Sequence, residues 1–361
     1  MPMTDGQLTK LIEDVIAPQT GERIAVMVDE PNEGQAFDGP WRERLEMAER
    51  WRRVATAIAG VQGYGSLVKY PATGVPNANL PGDVVVEGRE RKLVELASEV
   101  NILIVMPQFS ATAPMMELIR RFDGLRVASM PTVSPAMEDT ALRADYVKVQ
   151  KNCRVLRNIL DGAIHADVTF STKDRLHIDL RNRTPVMDDG YLHQDKPSPR
   201  LINLPSGETF IVPNEQKDSE SNGVLPLVWK DGIVRLQIER NKVKGVIEGK
   251  TAADLEAYLD ADPARKNLAE LGLGCNFFAD PGAQSVLESE KAGPHIALGR
   301  SEHLQSGGTV GPSDFRDKPW HQDFVYTSKS PIRVTELFLS TAKESLVDGT
   351  GSYKAWLGLE K

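Results

Sequence analysis

The chain has 361 residues, with 43 Lys and Arg against 51 Asp and Glu, for a formal net charge of −8. Phosphate binding wants a basic face, so this balance excludes nucleic acid as the main partner. At 40% hydrophobic and 26% charged residues the composition is that of an ordinary globular protein, which excludes wholesale disorder. At ~100–200 residues per domain the length predicts two domains. The longest apolar runs, such as residues 102–106, fall far short of the ~20 residues of a membrane helix. The opening MPMTDGQLTKLIEDV has no basic start followed by an apolar stretch, so the expected setting is cytoplasmic. Cys153 and Cys275 are the only cysteines, which excludes a disulfide scaffold and a cysteine zinc site.

Residues 1–165 alternate between two textures. Short β-rich runs at 23–28, 66–70, 101–107 and 125–130 are separated by helical stretches at 41–59, 90–98 and 113–122. In the first helix Leu45, Ala48, Trp51, Ala55 and Ile58 recur at three- and four-residue steps, an amphipathic face. Strand–helix alternation predicts an α/β domain with a parallel sheet. A last helix at 146–160 closes it, with Lys148, Lys151, Arg154 and Arg157 as a solvated face.

Residues 166–361 read differently, as a β-rich α+β domain. Strand patterns follow one another in ADVTFST, RLHIDLRN, ETFIVP, GVLPLVW, IVRLQIER and KVKGVIEG, with a hairpin turn at Asn241. A helix follows with Thr251 as N-cap. Strands resume around Ala269, His295 and Phe324.

Common nucleotide and hydrolase motifs fail. GVIEGKT at 245–251 is one residue short of a phosphate loop, and Gly272 and Gly274 form a GxG with no third glycine. No GxSxG, HExxH or EF-hand pattern occurs. Cys153 lies in a helical pattern and reads as a small core residue.

The informative residues lie between Glu208 and Asp323. His321-Gln322-Asp323 puts an imidazole and a carboxylate on one side of a strand, where they can share an ion. Two other HxD steps exist. His177-Ile178-Asp179 fits an alternating strand with its polar face outward, and His193-Gln194-Asp195 lies in a Pro- and Asp-rich loop. On spacing alone at most one of the three is functional. Context favours His321. Glu270 opens a glycine-rich ELGLG, Glu290 lies five residues before His295, and Glu208 follows a Pro-Ser-Gly turn. Acids beside apolar strands need partners if buried. Two imidazoles and four carboxylates suit one or two divalent ions of the zinc, manganese, iron or cobalt type. The alternative is a set of solvated strand ends.

The segments NLPSGETFIVP, AELGLGCN, ESEKAGPHIALG and WHQD, in that order, resemble the thermophilic metallo-aminopeptidases of the aminopeptidase T and aminopeptidase S type. The resemblance runs from Asn203 to Val325. It implies a two-metal site held by Glu208, Glu270, His295, His321 and Asp323, with Glu290 as the acid/base carboxylate. It also implies a homodimer or larger homo-oligomer, to which the late apolar residues Leu337, Phe338, Leu339, Trp356 and Leu357 could contribute. One departure stands out: the family's tyrosine falls on Glu302, with His303 next to it. Two divergent relatives bear on the chemistry. The 2,5-dihydroxypyridine dioxygenases keep the HxD pair but use one iron, with a histidine where this chain has Glu270 and no carboxylate matching Glu208. The nitroanthranilate aminohydrolase type removes an aromatic amine with a metal-activated hydroxide. The expected activity is metal-dependent hydrolysis of a C–N bond in a peptide or small-molecule substrate. A ring-cleaving dioxygenase and a non-catalytic family member are the alternatives.

Overall fold

The computed structural model describes residues 2–197, 200–304, 306–311, 313 and 320–361. It is a mixed α/β protein, as expected, with one sheet containing parallel strands and two antiparallel sheets. Contacts divide the chain into a first unit of 1–150 with 189–206, and a second of 151–188 with 207–361. The sequence reading has a single boundary at residue 165. Here the chain returns to the first unit because strand Leu201–Asn203 pairs in parallel with Arg126–Ser129.

The first unit is built on strands Arg23–Glu30, Val68–Pro71, Ile102–Met106 and Arg126–Ser129. Arg23–Glu30 is central, with parallel neighbours on both sides. Ile102–Met106 is buried along its whole length, which accounts for its unbroken apolar run. The expected helix at 90–98 begins only at Leu93. Residues Arg89–Lys92 instead pair antiparallel with Asp83–Val86. Glu87 and Gly88 both take positive φ between those strands, the conformation of a tight hairpin turn.

Helix Asp5–Val15 carries a capping box that the sequence reading did not single out: the Thr4 hydroxyl accepts from the Gln7 amide, and the Gln7 side chain accepts from the Thr4 amide. Helix Gly39–Thr56 starts at Asp38, whose carboxylate accepts from the Trp41 amide. Its buried stripe is Arg44, Met47, Ala48, Trp51, Val54 and Ala55, so Leu45 and Ile58 sit at its margins. Fully buried Arg126 donates to the carbonyls of Ile16 and Leu192, at 2.5 and 2.6 Å, and pairs with Glu22.

In the second unit a six-stranded antiparallel sheet runs in the order Lys242–Glu248, Gly232–Glu239, Asn222–Trp229, Arg175–Asp179, His165–Phe170, Val334–Leu339. Arg240 and Asn241 both have positive φ at the expected hairpin. Thr251 stands at the start of helix Ala252–Asp260 without capping it, because its hydroxyl donates to the Trp229 carbonyl. The outward polar face expected of His177 and Asp179 holds for His177 alone. Asp179 is buried, held by Arg181, Asn214 and the Glu220 amide where the strand meets the 214–220 loop. Leu337, Leu339 and Leu357 join the core, while Phe338 and Trp356 are exposed. Among the described residues no helix is long and apolar enough to cross a membrane.

Arg126→Ala strands a buried carboxylate and two carbonyls, so it should lower the stability of the first unit by about 3–5 kcal/mol. Urea unfolding followed by far-UV circular dichroism measures this, and a loss under about 1 kcal/mol would contradict it.

Candidate metal centre

A five-stranded antiparallel sheet in the second unit carries the candidate residues. Its order is Val186–Asp188, Glu208–Ile211, Leu268–Gly274, Pro294–Gly299, His321–Val325. Alternate residues of a strand share a face, and register decides which residues lie side by side. Here Asp188 lies opposite Glu208, and Glu208 opposite Gly274. Gly272 lies opposite His295, and Ala297 lies between Glu270 and Asp323. His321 lies opposite Gly299.

Each long polar side chain thus faces a small residue on a neighbouring strand. The glycines of ELGLG are needed for that reason. A Cβ on Gly272 would stand 1.9 Å from His295 Nε2. A Cβ on Gly274 would stand 2.1 Å from the Glu290 carbonyl oxygen. Gly274 therefore lets the turn carrying Glu290 and Lys291 pack onto the sheet. Backbone bonds fix that turn: the Gly274 amide donates to Gly293 O, and the Asn276 amide to Lys291 O, both at 2.9 Å.

The six residues singled out in the sequence come together in this unit. His295 Nε2 lies 3.0 Å from Glu208 Oε2 and 3.4 Å from Glu270 Oε1. His321 Nε2 lies 3.4 Å from Glu270 Oε2 and 3.6 Å from Asp323 Oδ1. Two ligand triads result, Glu208–Glu270–His295 and Glu270–His321–Asp323. Glu270 belongs to both, one oxygen to each.

The imidazoles are oriented alike. His295 Nδ1 contacts Gly293 O at 3.1 Å, and His321 Nδ1 contacts Arg300 O at 2.8 Å. Each Nδ1 bears the proton that this bond needs, which turns Nε2 toward the carboxylates, as in imidazole ligands generally. Glu208 Oε2 and His295 Nε2 are buried yet make no hydrogen bond of sound geometry. Buried polar atoms are rarely left so, and a cation between them satisfies both. The residues therefore fit a divalent ion at either triad. Which metal, and how many ions, this donor set leaves open.

Glu290 is buried on the turn beside the triads, and its neighbour Lys291 is the residue that sequence reasoning missed. Lys291 Nζ is fully buried, 2.7 Å from Glu290 Oε1 and 3.3 Å from Asp188 Oδ2, and it also pairs with Glu208 Oε1. In ESEK it reads as one charge of a solvated run, and no pattern marks it as buried. Asp188, the last residue of strand Val186–Asp188, likewise carries no sequence signal that marks it.

The other HxD steps contribute to neither triad. His193 Nε2 contacts the Asp14 carbonyl within the first unit, and Asp195 accepts from Tyr191. His177 pairs with Asp167 at 2.7 Å. Glu302 is held by Arg300, and the His303 ring stands edge-on to His321 with centroids 5.2 Å apart.

Burial opposes charge throughout, and specific neighbours decide each case. Burial acts to raise the Glu208 carboxyl, but Lys291 and His295 outweigh it and hold it at about 2. Burial acts to lower both imidazoles, yet Glu208 and Glu270 drive His295 well above its ordinary value, and Asp323 and Glu270 do the same to His321. Glu290 moves the other way: burial, with Glu208 and Asp323 nearby, raises it well above a usual carboxyl despite Lys291. Burial raises Glu302 too, but His303 and Arg300 bring it to about 2. Burial lowers His303.

No family model matches the chain, and no curated protein matches its sequence. Two solved structures share its fold over nearly its full length. A 2,5-dihydroxypyridine dioxygenase from Pseudomonas putida superposes with a TM-score of 0.66 at 16% identity, over 98% of this chain and 99% of that one. Wild-type AmpT from Thermus thermophilus superposes with a TM-score of 0.58 at 12% identity, over 97% and 98%. Such identities establish a common fold.

Two predictions follow from this geometry. Gly272→Ala should weaken metal binding at least tenfold, because the new methyl must displace the His295 imidazole; unchanged binding by titration calorimetry would exclude His295 as a ligand. The second concerns pH. With no cation bound, both raised imidazoles are protonated near neutrality, and a metal must displace those protons. The stability that protonation gives the metal-free protein is lost as pH rises through the raised values. Apparent metal affinity should therefore rise as pH rises through and beyond neutrality, with proton release seen as buffer-dependent heats.

Proposed function

We propose that this protein is a metal-dependent hydrolase that cleaves a C–N bond, either an N-terminal peptide bond or an amine on a small ring. The observation that carries the reading is the pair of ligand triads sharing Glu270, with the buried carboxyl of Glu290 beside them. Glu208, Glu270 and His295 would hold one ion, and Glu270, His321 and Asp323 the other. When bound, such a pair polarises a carbonyl and lowers the pKa of water enough to give hydroxide near neutral pH.

This chain's own residues supply the proton handling and the positioning. Glu290 takes a proton from the attacking water and returns it to the leaving nitrogen. A carboxyl raised by burial suits that exchange, because its carboxylate is a stronger base toward water than an ordinary one and its acid form can still protonate the leaving nitrogen. Lys291 fixes one oxygen of Glu290 and leaves the other to reach the reacting atoms. Glu302 cannot replace the family tyrosine as a donor, since Arg300 holds it as a carboxylate. His303 is the group that fits: its half-buried ring stands edge-on to His321, and its Nδ1, 4.0 Å from Glu302 Oε2, makes no hydrogen bond of sound geometry. A neutral imidazole there can donate to the oxyanion of a tetrahedral intermediate.

Ring cleavage by a single iron is the competing chemistry. Non-haem iron oxygenases typically offer two histidines and one carboxylate around one ion. Each triad here offers one histidine and two carboxylates, the acid-rich balance of a hydrolytic centre.

Glu290→Gln keeps size and removes the base. The variant should retain its metal while kcat falls about 10²–10⁴-fold. Metal analysis and a hydrolysis screen of peptides and aromatic amines, run under air and under nitrogen, make the measurement. Loss of metal would make Glu290 a ligand, and oxygen-dependent turnover would overturn the hydrolase reading.

A further inference from the structure

Lys291 has no part in the chemistry described so far beyond steadying Glu290, yet its ammonium is one of the most deeply buried charges in the second unit. It serves three carboxylates from three places in the chain: Asp188 and Glu208, opposite one another on neighbouring strands, and Glu290 on its own turn. Glu208 is thereby divided. Its Oε1 bonds to Lys291, and only Oε2 faces His295. The second triad is different. Among the described residues Glu270 and Asp323 pair with imidazoles alone, and no lysine or arginine touches either.

We infer that Lys291 makes the two metal centres unequal, so that the Glu270–His321–Asp323 centre takes its ion first and the Glu208–Glu270–His295 centre takes a second ion much more weakly. The inference rests on the two-triad reading above. Its cause is electrostatic. A fixed positive charge bonded to one oxygen of Glu208 repels a divalent cation at the other, while at the second triad the same charge acts on Asp323 only from a distance, with no bond to either acid. At the effective dielectric of a protein site, unit charges a few ångströms apart interact by several multiples of thermal energy, so the gap should be at least about tenfold in affinity.

Charge bookkeeping supports the same order. Asp188, Glu208, Glu270, Glu290 and Asp323 are five acids, and Lys291 offsets one of them. The first ion answers Asp323 and Glu270, whose partners are imidazoles that release their protons to a metal, with no lysine or arginine beside them among the described residues. The second answers what remains around Glu208 and must share that carboxylate with Lys291. Lys291 also occupies Glu290 and so keeps it out of the ligand set.

The test uses the full-length protein stripped of metal and titrated with Zn²⁺, and separately with Mn²⁺, by calorimetry, with metal content measured after dialysis. Wild type should retain one ion per chain and bind a second at least about tenfold more weakly. Lys291→Met removes the charge and keeps most of the volume. Its second ion should tighten about tenfold or more, so that two ions survive dialysis. Space-filling alone would not change the ratio of first to second affinity. Two equal sites in wild type, or an unchanged ratio in Lys291→Met, would overturn the inference and leave the hydrolase reading standing. Failure of wild type to bind either ion would overturn both. Should Lys291→Met not fold, Asp188→Asn decides the matter. Losing one counter-charge puts more of the ammonium's charge on Glu208, so the second ion should weaken at least about threefold while the first is unchanged. A second ion that binds as before, or more tightly, would overturn the inference.

Discussion

The second unit depends on one constraint: several carboxylates are buried on one face of one sheet, and each needs positive charge within reach. An unpaired buried carboxylate costs several kcal/mol even after the protein relaxes. Asp188, Glu208, Glu270, Glu290 and Asp323 are answered by two imidazoles and one ammonium, all buried or nearly so. The partners are arranged in an order. Lys291 serves the acids at one end of the sheet, His295 stands between Glu208 and Glu270, and His321 stands between Glu270 and Asp323. Glu270 joins the two histidine-centred groups and is the hinge of the whole arrangement.

Such a face could not be packed from large residues alone. Antiparallel register puts glycine or alanine beside each ligand: Gly274 beside Glu208, Gly272 beside His295, Ala297 between Glu270 and Asp323, Gly299 beside His321. The small residues leave volume for the polar side chains and let backbone approach backbone where the Glu290 turn meets the sheet. Backbone carbonyls then finish what packing begins, since Gly293 and Arg300 each fix one imidazole by its Nδ1. The result is a set of donors held by rigid strands rather than by loops, which is what precise metal geometry requires.

Two acids of similar position end in opposite states. Glu290 and Glu302 both lie near the histidines, and burial raises both. Glu290 has carboxylate neighbours and stays high, whereas Glu302 has Arg300 and His303 and falls to about 2. Environments that push two carboxyls apart in this way separate a proton carrier from a fixed charge.

The sequence by itself determined the alternation of strand and helix in the first part, the strand-rich second part and the six residues that meet in the second unit. It could do so because periodicity and strand pairing are local, and because an acid next to glycine in an apolar strand is costly unless it has a purpose. The glycines of ELGLG were visible too, though their reason was not: only the register shows Gly272 making room for His295. The hairpin at Arg89–Lys92 went unseen because a charged tetrapeptide reads equally well as a helix start, and the turn at Glu87-Gly88 decides between them. Lys291 and Asp188 went unseen for a deeper reason. A lysine in ESEK and an aspartate in VMDDG look solvated until strands more than a hundred residues apart in the chain close around them, and burial, which turns an ordinary charge into a controlling one, belongs to the tertiary structure alone.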